Sequence, residues 1–71
     1  MKLHYYPETD SLYIDLNSKP SVDSREIVDG LVADLDGDGN VVGLDIEHAS
    51  EKLDLQTLET VSLPALTTRI A

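Results

Sequence analysis

The chain has 71 residues, with 14 Asp and Glu against 5 Lys and Arg, a formal net charge of −9 and no cysteine. This length predicts a single domain, 1–71, with a small core close to the margin of stability. The absence of cysteine excludes a disulfide staple and a Cys-based zinc site, and the charge repels phosphate backbones and anionic lipid, so neither nucleic acid nor a membrane is expected as a partner.

Residues 2–6 (KLHYY) alternate Leu3 and Tyr5 with Lys2, His4 and Tyr6, the period of a strand. The opening residues do not lead into an apolar run, and no stretch approaches a membrane span, so a cytoplasmic location is expected. Pro7, Glu8, Thr9, Asp10 and Ser11 form a turn cluster. Residues 12–16 then place Leu12, Ile14 and Leu16 on one face and Tyr13 and Asp15 on the other. These segments make a first hairpin over 2–16.

A break at 17–21 precedes 22–29, VDSREIVD, in which neither face is cleanly apolar. This pattern predicts an edge strand, with a turn or bulge at Asp29 and Gly30. Residues 31–36 put Leu31, Ala33 and Leu35 on one face, and residues 41–47 put Val42, Leu44 and Ile46 on one face. They make a second hairpin over 31–47. Gly43 in mid-strand predicts a bulge or close packing by an aromatic ring or backbone.

Ala49, Ser50, Glu51, Lys52 and Leu53 predict a helix over about 49–59, with Ser50 as N-cap. Leu53, Leu55 and Leu58 do not form one helical stripe, and Pro64 stops any longer helix. In the tail, 60–71, Leu63, Leu66 and Ile70 predict packing on the chain's own sheet or on a neighbouring chain. The fold class is α+β: a small antiparallel β-meander of four to five strands with a short C-terminal helix on one face. The predicted core is Leu12, Ile14, Leu16, Leu31, Ala33, Leu35, Val42, Leu44 and Ile46, with Leu53 from the helix.

The run Asp34–Asn40, DLDGDGN, fits two structures. A calcium loop needs oxygen ligands at alternating positions and a glycine at the sixth. Asp34, Asp36 and Asp38 fall at the first, third and fifth positions and Gly39 at the sixth, while Asp45 stands where the loop wants a longer Glu. The flanking segments alternate like strands, whereas that loop sits between helices. Asp, Gly and Asn also suit a hairpin tip, because they tolerate left-handed backbone. A hairpin turn is therefore the first expectation, and a calcium site on Asp34, Asp36, Asp38 and Asp45 the alternative.

Other chemistry finds little support. A transition-metal site would need His4 and His48 to meet near Asp45 or Glu47. No nucleophile elbow or P-loop is present. Tyr5, Tyr6 and Tyr13 have few basic neighbours, which suits core or interface contacts better than base stacking. The chain is not expected to be an enzyme or to carry a cofactor.

Three segments, taken in order, carry a resemblance: Tyr5–Ile14 (YYPETDSLYI), Arg25–Asp34 (REIVDGLVAD) and Gly39–Ser50 (GNVVGLDIEHAS). Together they resemble the domain of unknown function 2283 family of small, mostly bacterial proteins. Its members open with a Tyr-Asp-Pro-Glu-x-Asp-x-Leu-Tyr-like hairpin and end with a Val-Gly-Ile-Glu-Ile-like strand running into Ala-Ser and a short helix. The resemblance covers about residues 3–53. Tyr6 stands where Asp is common, and His48 where the family often has a Leu-Asp pair. It implies a compact β-meander with a C-terminal helix and no known activity. Such small proteins are sometimes encoded beside small toxins, so the resemblance implies an antitoxin-like role by analogy, and an acidic chain suits a basic protein partner. The same acidity also serves solubility. The functional expectation is a non-enzymatic protein-interaction module that forms a homo-oligomer, because a core this small gains from added buried area.

Overall fold

The computed structural model describes residues 1–64 and 67–70. Its elements are β1 (Lys2–Tyr6), β2 (Ser11–Asp15), β3 (Asp23–Val28), β4 (Leu31–Leu35), β5 (Val41–Ile46) and α1 (Ala49–Lys52). The strands form one antiparallel sheet in the order β1-β2-β5-β4-β3. The predicted hairpins are β1–β2 and β4–β5, and the predicted edge strand is β3. The architecture is a five-stranded sheet with one short helix, within the expected four to five strands but mostly β rather than a balanced α+β fold. It is not one unbroken meander. The connection after β2 carries the chain to the far edge, and the three-stranded piece β3–β4–β5 returns to dock β5 beside β2.

Register explains that docking. Antiparallel partners share a face, so each cross-strand row has one character. Leu3, Ile14, Leu44, Ala33 and Arg25 form one row across the five strands, and Tyr5, Leu12, Ile46, Leu31 and Val28 the next. These rows make an apolar face. The opposite face carries Lys2, Asp15, Gly43, Asp34 and Ser24 in one row and His4, Tyr13, Asp45, Val32 and Glu26 in another. Placing β5 at the centre lets Leu44 and Ile46 meet apolar partners on both sides.

Of the predicted core, Leu12, Ala33, Leu35 and Val42 are buried, and Ile14, Leu16, Leu31, Leu44, Ile46 and Leu53 only partly so. Among the described residues, no large side chain is fully buried.

The helix departs from expectation. It ends at Lys52, and Leu53 is already extended (φ −127°, ψ 149°). The chain then turns, with the Leu55 N–H donating to the Leu53 carbonyl (3.0 Å) and the Thr57 N–H to the Asp54 carbonyl (3.4 Å), which is why Leu53 and Leu55 make no helical stripe. Ser50 is not the N-cap. His48 holds that position in left-handed geometry (φ 54°) without a side-chain cap. The amides are satisfied from 39 and 40 positions away instead: the Ala49 N–H donates to the Asp10 carbonyl (2.8 Å) and the Ser50 N–H to Asp10 Oδ1 (3.0 Å).

Beyond Lys52, only Leu53 among the described residues is not exposed, and the described part of 60–71 has neither helix nor strand. Leu66 lies outside the described residues. No helix among them is long and apolar enough to cross a membrane.

Candidate functional site

The polar face is organised around Tyr13. Its side chain crosses β5 over Gly43 and donates a hydrogen bond to Asp34 Oδ2 on β4 (2.6 Å). Ser24 on β3 donates to the other oxygen, Asp34 Oδ1, at 2.8 Å. Three side chains thus connect three strands across a fourth. Gly43 permits this, since a Cβ there would lie 2.7 Å from Tyr13 Cζ and closer still to its hydroxyl. Of the two alternatives at Gly43, close packing by an aromatic ring is present, and the ladder also shifts register beside it, between Asp34 and Leu35.

The hydrogen bond to Asp34 is the chief reason why the Tyr13 hydroxyl is pushed up to about 12. Partial burial and the charges of Asp34, Asp15 and Asp45 add to the shift. Such a phenol stays protonated at neutral pH and serves as a donor. Beside it a solvent-open hollow of about 410 Å³ is lined by Tyr6, Ser11, Tyr13, Asp45, Glu47 and His48, among others. His4 lies outside that lining and stacks on Tyr6, with ring centroids 4.4 Å apart. The two histidines therefore do not line one hollow.

The DLDGDGN run forms the tip of the β4–β5 hairpin. Asp36 is buried, and its Oδ1 accepts from the backbone N–H groups of Asp38 and Asn40, both at 2.9 Å. Its Oδ2 accepts from Asn40 Nδ2 at 3.4 Å. These donors, the Asn40 amide first, hold the carboxyl below the usual carboxylate range. Gly39 takes φ 82°, the left-handed value that the turn requires.

Of the four candidate calcium ligands, Asp34 serves Tyr13 and Ser24, and Asp36 closes the turn on itself. Asp38 is exposed on the loop, and Asp45 lies on β5 opposite Tyr13 and Val32. Among the described residues, no group of three or more His, Asp and Glu is arranged to hold a metal ion.

A second cluster ties the first hairpin to the helix. Asp10, at φ 51°, accepts from Tyr5 Oη at Oδ1 (2.8 Å) and from Ser50 Oγ at Oδ2 (2.6 Å). The Ser50 hydroxyl and then Tyr5 hold the Asp10 carboxyl below its usual range, and Asp10 in turn raises Tyr5. Sequence reasoning places Asp10 only in a turn, because nothing local points to a partner 40 positions away. It misses Ser24 for the same reason. Gly43 is the one visible signal for the Tyr13 crossing.

The apolar face carries a groove of about 690 Å³ beside β1, between Leu3, Tyr5 and Leu12 on the sheet and Leu53, Leu55 and Leu58 after the helix.

Residues 2–50 match the family described as "Protein of unknown function (DUF2283)". The chain belongs to this family. The matched region runs from β1 to Ser50, so it contains the whole sheet and both partners of the Asp10–Ser50 clip. No curated protein and no solved structure matches the chain.

Proposed function

We propose that the chain is a non-enzymatic protein-interaction module that self-associates. The observation that supports this is exposed area. The chain exposes 5907 Å², whereas a folded monomer of 7.8 kDa exposes about 4,400 Å². The excess exceeds the roughly 800 Å² that each partner buries in a standard interface. Large apolar side chains are exposed on β1, β3 and the segment after α1, including Leu3, Tyr5, Ile27, Val28, Leu58 and Val61. The radius of gyration, 13.1 Å, also exceeds the value of about 11 Å for a packed chain of this length.

The polar face suits a different partner. Asp15, Asp34, Asp45 and Glu26 share it, so a basic protein surface is its complement. An antitoxin-like role toward a basic partner would use this surface, with binding that weakens as salt rises.

Light scattering of the purified chain across a concentration series tests the first proposal. The expected mass is at least twice 7.8 kDa and unchanged by calcium. A monomer at every concentration would overturn self-association. A mass that rises only with calcium would instead favour a cation site on Asp34, Asp36, Asp38 and Asp45.

A further inference from the structure

The two open edges of the sheet differ. β3 carries the devices that keep an edge strand from pairing: a register shift between Glu26 and Val28, and the charges of Asp23, Arg25 and Glu26. β1 has none of these apart from Lys2. It pairs with β2 in unbroken register from Lys2 to Tyr6 and contains no proline. All five of its residues are exposed, among them Leu3 (47%), Tyr5 (41%) and Tyr6 (44%).

Charge singles out the same strand. In a chain of net charge −9, each of the other four strands contains at least one carboxylate, and β1 contains none. Two copies repel one another over most of their surface, and β1 is the edge where that repulsion is weakest.

We propose that β1 pairs antiparallel with β1 of a second copy, joining two five-stranded sheets into one of ten strands. This rests on the self-association proposed above and names its seam. The register is set by the two faces. Opposed residues share a face, so apolar meets apolar only if the two paired residue numbers have the same parity. Of such two-fold registers, the one centred on His4 uses all five residues. It sets Leu3 against Tyr5 of the second copy on the apolar face, and Lys2 against Tyr6 of the second copy on the other, an ammonium beside an aromatic ring. It also brings together the two grooves beside β1, so that Leu3, Tyr5 and Leu58 of both copies flank one apolar channel.

Hydrogen exchange of the full chain at high and low concentration, with mass measured on the same samples, tests the seam. In the dimer the outward-facing amides of β1 are expected to be protected, and to lose that protection on dilution, while outward-facing β3 amides exchange fast throughout. The variant H4E places two carboxylates across the seam, and it is expected to weaken dimerisation ten-fold or more with the monomer's circular dichroism unchanged. E26Q on β3 is expected not to weaken it. A dimer whose outward β1 amides exchange fast would overturn the seam and leave self-association standing. A monomer throughout would overturn both. Protection of β1 that persists in the monomer would also overturn the seam, by showing that the chain covers this edge itself.

Discussion

The two faces of this sheet are built from alternate residues of the same strands and are held by different interactions. Leu12 and Tyr13 are neighbours in sequence. Leu12 is buried between Tyr5 and Ile46 on the apolar face, while Tyr13 lies across Gly43 on the polar one. The apolar face gains stability by removing area from water, a non-directional effect shared among many side chains. The polar face depends on a few directed contacts, with Asp34 as the common acceptor for strands on either side of β5. An apolar face can stay partly uncovered and await a partner. A polar cluster has to be complete within the chain, and this one leaves no buried polar side-chain atom unsatisfied among the described residues.

The largest effect is expected on the apolar side. Leu12→Ala should destabilise by about 3 kcal/mol, because the site loses transfer energy and a tightly held neighbourhood. Denaturant unfolding at fixed protein concentration measures it. A cost well under 1 kcal/mol would mean that the apolar face is too loosely covered to act as a core.

On the polar side, Gly43→Ala should cost about 2 kcal/mol, since the new methyl displaces the Tyr13 ring and with it the hydrogen bond to Asp34. The double variant with Tyr13→Ala should recover part of that loss. Additive costs would show that the ring does not constrain Gly43.

Tyr13→Phe is expected to cost less, about 1 kcal/mol, because Asp34 keeps Ser24 as a donor. Its signature is at alkaline pH. The folded-state value is raised, so the contribution of the Tyr13 hydroxyl is complete below its ordinary value of 10.0 and is lost as pH rises from there through about 12. Unfolding measured from pH 9 upward should therefore show a shallower loss of stability in the variant, the residual slope coming from Tyr5. Equal slopes would mean that Asp34 does not hold the phenol in its neutral form.

The hairpin tips show how far such features are legible in the sequence. Asp36 and Asp10 each close a turn with a carboxylate held below its usual range. Asp36 bonds to residues two and four positions away, so DLDGDGN carries its whole explanation and the turn can be read directly. Asp10 bonds to Ser50, and no local pattern shows that pairing. Strand periods are visible because alternation is local. The order of the strands is not, because β5 docks on β2 through Leu44 and Ile46, whose partners Ile14 and Leu12 lie far back in the chain. The sequence overstates the helix because Ser50 resembles a cap for the residues after it, when it is the partner of a residue that comes long before.

The smallest expected effect concerns the charge around Tyr13. Asp15 and Asp34 both sit opposite Gly43, from its two sides, and Asp45 is the next residue of β5 on that face. Diagonal neighbours of this kind lie about 7–8 Å apart, well inside the screening length of about 30 Å at 0.01 M salt and near the value of about 8 Å at 0.15 M. Raising salt over that range should therefore stabilise the fold by a few tenths of a kcal/mol. Asp45→Asn should reduce the gain, whereas an exposed carboxylate remote from this face, such as Glu59, should matter less when neutralised. Equal salt responses for the two variants would mean that repulsion is spread over the whole −9 chain, and the polar face would then carry no strain of its own for a basic partner to relieve.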